Sequence, residues 1–265
     1  MRLMVNPKQM MPINLILAVK SAFHLIKIHP KETISIALLI YIIDSLITIP
    51  LYPHLTQINM MENPNSIITY ISKVLSNQSN FIYLLVFMIF GLIVSLLIRI
   101  YYISLALNFF SAKPMKSVSG NLISCLSLLP LICFANLIYY MISFFGFLLL
   151  LVPGIIFMLV FYFYEYGLVT RQCSFFKSFS ESQNLTRSYR FQLLGIIVFF
   201  NILFFSISSL ISSIFGELFL TSFTLTALIN HISNLFYVLL MSHIYLQLKT
   251  IKSSNTKSII DTNEI

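Results

Sequence analysis

From Ser117 to Tyr164 the chain carries no charged residue over 48 consecutive positions. As one helix that run would extend ~72 Å, more than twice the ~30 Å hydrocarbon core of a bilayer. It therefore reads as two membrane-crossing helices joined by a tight turn. Gly146 and the Pro153-Gly154 pair mark the place. Proline lacks the N–H that a helix interior needs and glycine is a weak helix former, so a chain can stop and restart there. Pro153 and Gly154 are accordingly read as the hairpin turn.

The rest of the chain agrees with a lipid environment. It is 58% hydrophobic and 9% charged, against about 25% charged in a soluble domain. Six apolar segments reach spanning length, at about 33–52, 82–105, 121–145, 150–169, 191–213 and 223–247. The fold class is all-α: a polytopic membrane domain over 33–247, preceded by an N-terminal segment, 1–32, and followed by a polar tail, 248–265, expected to fray. In the N-terminal segment Lys20, His24, Lys27 and Lys31 recur at one helical face, while Leu15, Val19, Ala22, Phe23 and Ile26 lie elsewhere around the helix. That pattern predicts an amphipathic helix lying in the membrane interface, ended by Pro30. The segment 170–190 is basic, and Ser178-Phe179-Ser180-Glu181 fits a capping box, so part of it is predicted helical.

Charge sets the orientation. Of 16 Lys and Arg residues, 15 fall before the first span, around the second and fourth connections, or in the tail, and Lys73 alone falls on the opposite side. In short loops such bias marks the cytoplasmic face, which places both termini inside. The net charge of +8 sits in short patches between apolar runs, where it meets anionic lipid at the cytoplasmic face. Nucleic acid is excluded as a partner, since no continuous basic stripe exists. The three cysteines, Cys125, Cys133 and Cys173, have no CxxC spacing and are read as packed thiols rather than a disulfide or zinc set. The abundance of Ile, Phe, Tyr, Asn and Lys points to a bacterium with an AT-rich genome.

Three residues stand out as intramembrane polar candidates. Asp44, near the middle of the first span, is costly to bury in hydrocarbon, by ~2.5–3.5 kcal/mol on insertion scales. Arg99 and Glu165 lie toward the cytoplasmic ends of their spans and can pair across the bundle. Asn136 and Asn201 are candidates for interhelical hydrogen bonds. His231 and His243 are 12 residues apart, about 18 Å along a helix, too far to share a metal. No phosphate loop, nucleophile elbow or carboxylate pair is present, so no catalytic, cofactor or metal residues are assigned and no enzyme is expected.

The stretch Leu148 to Gly195 resembles one family. Val152-Pro153-Gly154-Ile155-Ile156, a following span, then a basic loop holding Ser178, Ser182, Leu185 and Thr186 before another apolar run, is similar to the YciC-like bacterial inner-membrane proteins. Arg187 stands where the family pattern has an aromatic residue. The resemblance implies a six-span inner-membrane protein and transfers no catalytic residues. The expectation is a multi-pass, non-enzymatic protein with a structural or envelope-related role. Small-solute or lipid transport, motivated by Asp44, Arg99 and Glu165, is the alternative.

Overall fold

A computed structural model describes residues 12–30, 33, 42, 78–112, 118–170, 174–215 and 219–263. Among these the chain is helical throughout, in eight helices: α1 (Leu15–Ile28), α2 (Gln78–Phe110), α3 (Val118–Leu149), α4 (Leu151–Val160), α5 (Tyr164–Val169), α6 (Phe175–Thr186), α7 (Arg190–Phe215) and α8 (Phe219–Asn263). Five stretches are long and apolar enough to cross a membrane: Ile89–Phe110, Ser119–Leu149, Leu151–Val169, Arg190–Ile214 and Leu225–Ser254. They correspond to the second through sixth expected spans. The first, with Asp44, lies outside the described residues except for Thr33 and Ile42.

The predicted hairpin forms α3 and α4, and its geometry is tighter than the sequence suggested. The reversal is one residue, Leu150, in extended backbone (φ −168°, ψ 151°). Pro153 and Gly154 fall in the first turn of α4 instead. There proline's missing N–H costs nothing, because the first N–H groups of a helix have no intrahelical acceptor. The glycines serve contact. A Cβ on Gly154 would come within 2.5 Å of the Phe147 ring, and one on Gly146 within 3.0 Å of the Gly154 Cα. Two bare backbones thus touch at the neck of the hairpin.

Burial divides the molecule into two zones. In the first half of α2, along one side of α3 and over most of α7, large apolar side chains lie open: Phe90, Phe134, Phe145, Leu149, Phe199 and Phe205 are all more than half exposed. Such a surface suits hydrocarbon rather than water. The core lies toward the other end of the helices, where α2 runs into the basic segment 111–117. Ile100, Tyr101, Tyr102, Ile103, Leu105, Ala106 and Leu107 are buried almost all round the helix, as are Leu239, Leu240, Met241, Ile244 and Tyr245 of α8. A helix buried on every side needs neighbours on every side, and α1, α5 and α6 supply them.

The N-terminal amphipathic helix exists as α1, and its buried face is Ala18, Ala22 and Leu25. It docks on α8 through small residues, with Lys20, His24 and Lys27 outward as expected. Its start is fixed by side chains: Gln247 accepts from the Asn14 N–H (3.0 Å) and donates to the Asn14 carbonyl (3.1 Å), while the Asn14 side chain caps the Leu17 N–H (2.9 Å). The tail differs from its reading as a frayed segment, because α8 continues without a break to Asn263. The capping-box reading is also corrected. Helix α6 begins three residues before Ser178, at Phe175, and Ser178 sits inside it with its hydroxyl donating to the Phe175 carbonyl (2.6 Å).

The hairpin neck yields a test. Gly154→Ala is expected to lower the stability of the detergent-solubilised protein by about 1–3 kcal/mol, the usual cost of overpacking. Gly195→Ala, where a Cβ meets nothing within 4 Å, is expected to be neutral or to add about 0.5–1 kcal/mol from helix propensity. Thermal unfolding of the two variants side by side should show a lower midpoint for Gly154→Ala and an unchanged or higher one for Gly195→Ala.

Candidate functional site

Between α4 and α5 the span Leu151–Val169 is broken. Phe161, Tyr162 and Phe163 leave the α-helix, and the bonds there tighten to Tyr162 N–H to the Leu159 carbonyl (3.4 Å) and Tyr164 N–H to the Phe161 carbonyl (3.2 Å). A break inside a span strands backbone groups that hydrocarbon cannot satisfy. Here α6 satisfies them. The Ser182 hydroxyl accepts from the Phe163 N–H (3.0 Å) and donates to the Val160 carbonyl (2.9 Å). The Thr186 hydroxyl lies 3.2 Å from the same carbonyl and 3.0 Å from the Ser182 carbonyl.

The sequence explains why α6 can reach so far in. Its buried stripe is Ser178, Ser182, Leu185 and Thr186, at helical spacing, and three of these four are small hydroxyl residues. Opposite Ser178 sits Gly167 of α5, where a Cβ would stand 3.3 Å from the Ser178 Cβ. Small residues on both helices let the backbones approach, and the approach brings the hydroxyls within bonding distance. Ser178, Ser182, Leu185 and Thr186 are thus the contact face between an amphipathic helix and a broken span.

Just beyond the break, Glu165 is buried (1% exposed). Its Oε2 lies 2.8 Å from Arg99 Nε, with the arginine side chain 37% exposed. The Nε–H does not point along the line to the oxygen, so the contact is chiefly coulombic. The Tyr164 hydroxyl donates to Glu165 Oε1 (3.2 Å). An aromatic shell surrounds the pair. Tyr164 stacks on Phe179 of α6 (4.8 Å, 7°) and tilts against Tyr139 of α3 (5.3 Å). Tyr162 and Tyr237 share a hydrogen bond (2.9 Å), and Tyr166 stacks on Tyr245 (5.5 Å). Arg99 and Glu165 could be expected either to pair or to snorkel to the interface, and the structure brings the two together. A lone buried carboxylate would cost several kcal/mol, and a guanidinium at contact distance offsets much of that.

A second charged cluster was not anticipated. Glu181 of α6 faces Lys249 of α8 (3.2 Å) and accepts from the Tyr245 hydroxyl (3.2 Å). Its only sequence signal was the spacing of Lys177, Ser180, Glu181 and Asn184 along one face of α6. Other candidates resolve differently. Asn136 and Asn201 each donate to the carbonyl four residues back on their own helix (3.2 and 2.8 Å) rather than across helices. Asparagine side chains that do bond across helices are Asn121, which accepts from Ser104 (2.9 Å), and Asn230, which accepts from Ser208 (2.8 Å). His243 packs edge-on to Phe110 (5.0 Å) and its Nδ1 lies 3.0 Å from Gln247. Cys125 is buried and Cys133 partly buried, both as thiols outside any disulfide, while Cys173 lies outside the described residues. Among the described residues no three His, Cys, Asp or Glu gather where they could hold a metal ion.

No protein-family model matches the chain, and no curated protein or solved structure matches it either. What the site does has to be argued from its chemistry.

The hydroxyl cap on the broken span can be tested directly. Ser182→Ala leaves the Phe163 N–H without its acceptor and the Val160 carbonyl with one donor fewer. An unsatisfied buried group costs about 1–3 kcal/mol, so the thermal midpoint in detergent should fall clearly. Ser180→Ala, on the exposed side of the same helix, should change stability by less than about 0.5 kcal/mol.

Proposed function

We propose that the chain is a six-span bacterial inner-membrane protein with both termini in the cytoplasm and a non-enzymatic, structural role in the envelope. It presents a rigid, basic helical layer to the anionic inner leaflet. The observation that carries this reading is how α1 and α6 are held. Both are amphipathic, both lie at the basic end of the bundle, and both are fixed to the spans by polar contacts, through Gln247 for α1 and through Ser182, Thr186 and Glu181 for α6. Outward they carry Lys20, Lys27 and Lys177 beside Phe23 and Phe176, which are 60% and 82% exposed. Cations beside open aromatic rings suit a headgroup boundary. The resemblance to YciC-like proteins fits this reading and names no chemistry that would require catalysis.

The test is lipid-dependent stability. In nanodiscs of phosphatidylcholine doped with increasing phosphatidylglycerol, the thermal midpoint should rise by several degrees at low salt. The rise should shrink as ionic strength approaches 1 M, where the screening length falls to about 3 Å. A midpoint indifferent to both variables would remove the reading.

A second reading, small-solute or lipid transport coupled to a proton, is favoured by one observation: an ion pair, Arg99 with Glu165, beside a discontinuous helix. Transporters place ion sites at such breaks. The first reading expects proteoliposomes loaded with a pH-sensitive dye to leak no faster than empty vesicles. A flux abolished by Glu165→Gln would establish the second in its place.

A further inference from the structure

On the basic end of the bundle a cleft of about 330 Å³ opens between α6 and the last turns of α8, lined by Lys177, Ser180, Glu181, Asn184, Lys249 and Lys252, with Leu185 and Ser253 completing its wall. We propose that this cleft is a headgroup site for an anionic phospholipid, its phosphate held by Lys177, Lys249 and Lys252. The proposal rests on the lipid-facing reading above and gives that reading one definite address.

Three arguments support it. The first is charge balance. Three ammonium groups face one carboxylate, and that carboxylate is turned to the inner wall, where it accepts from the Tyr245 hydroxyl and lies 3.2 Å from Lys249. The cleft is therefore cationic toward its mouth. Lys252 is attracted by the Glu181 carboxylate and, less strongly, repelled by Arg187. With more cations than carboxylates the cleft keeps a net positive charge, which a bound anion neutralises.

The second argument is preorganisation. Lys249 is held from two sides, by Glu181 and by the face of the Tyr245 ring, 5.6 Å from its centroid. Tyr245 in turn is fixed by stacking on Tyr166. A lysine held in this way loses less side-chain entropy when it meets a phosphate. Ser180, Asn184 and Ser253 add neutral groups that can bond to phosphate or glycerol oxygens.

The third argument selects a lipid over a soluble anion. Phe176, next to Lys177 and 82% exposed, and Phe191 at the start of α7, 90% exposed, stand open at this end of the bundle. Open aromatic rings of that size belong against acyl chains or the glycerol region. Basic pockets between membrane helices on the cytoplasmic side are a recurring place for anionic headgroups.

The experiment uses the full-length protein, purified in mild detergent, stripped of lipid and titrated with short-chain phosphatidylglycerol under native mass spectrometry. Phosphatidylcholine and glycerol 1-phosphate serve as the neutral lipid and the soluble anion. K177Q/K252Q removes two cations and leaves the Lys249–Glu181 contact in place. It should weaken phosphatidylglycerol binding roughly thirtyfold, at about fivefold per lysine near a membrane surface. K20Q/K27Q on α1 makes the same charge change elsewhere and should weaken it less than threefold. E181Q, which frees Lys249, should tighten it, a sign that a merely damaged protein would not give. Equal binding by K177Q/K252Q and the parent would overturn the site, as would an equal loss in K20Q/K27Q, which would mean diffuse attraction only. Glycerol 1-phosphate binding as tightly as the lipid would also overturn it, in favour of a soluble anion. If nanodisc stability tracks phosphatidylglycerol while K177Q/K252Q binds normally, the lipid-facing reading stands and this site falls.

Discussion

Backbone polar groups in a hydrocarbon medium must find partners within the protein, and the structure turns on where that demand is hardest to meet. Long helices meet it by themselves. The demand becomes acute at Phe161 to Phe163, where the span Leu151–Val169 gives up its α-helical bonds. The hydroxyls of Ser182 and Thr186 take over the Val160 carbonyl, and Ser182 takes the Phe163 N–H as well. These bonds fix the position of α6, because a hydroxyl reaches only about 3 Å and tolerates little sliding. With α6 fixed, Phe179 lies flat on Tyr164, and Glu181 lies beside Tyr245 and Lys249. The local need of three residues thereby sets the arrangement of one whole end of the bundle.

The same logic accounts for the ion pair. A carboxylate buried to 1% exposure is tolerable only with compensation. Arg99 provides it by coulombic attraction, and the Tyr164 hydroxyl adds a bond. In return the pair ties α2 to α5. Buried pairs of this kind are weak sources of stability, but they penalise wrong registers heavily, because a shifted helix leaves both charges alone. In a bundle of apolar helices, where leucine against leucine distinguishes one register poorly from another, that penalty is what specifies the arrangement.

Much of this was legible in the sequence, and the boundary of legibility is physical. The five described spans follow from apolar length, and the hairpin from a charge-free run too long for a ~30 Å core, quantities read by counting. Arg99 and Glu165 were visible because charge inside a span is rare. The break at Phe161 was not visible: Phe161, Tyr162 and Phe163 are as apolar and helix-compatible as their neighbours, and nothing local announces that a helix will stop. Its signal lay some 20 residues further on, in the hydroxyl stripe Ser178, Ser182 and Thr186, which reads as a plain polar face until its partner is known. Asn136 and Asn201 misled in the opposite direction. An amide in a span invites a partner on another helix, yet the carbonyl four residues back is always within reach and won in both cases. The turn missed its predicted residues for a similar reason: Pro153 suits the first turn of a helix as well as it suits a loop.

Firm anchoring changes what a basic amphipathic helix can do. A helix held to the membrane only by its own apolar face can tilt, slide and leave. In α6 the inward face is spent on hydroxyls and Leu185, so the helix keeps little apolar surface with which to hold lipid by itself, beyond Phe176. Its lysine therefore stands at a depth and azimuth set by the spans and shared with Lys249 and Lys252 of α8. Charge that is fixed in this way can distinguish one headgroup geometry from another, which mobile charge does poorly. The broken span is what makes the fixing possible, because an unbroken helix would offer Ser182 and Thr186 nothing to bond.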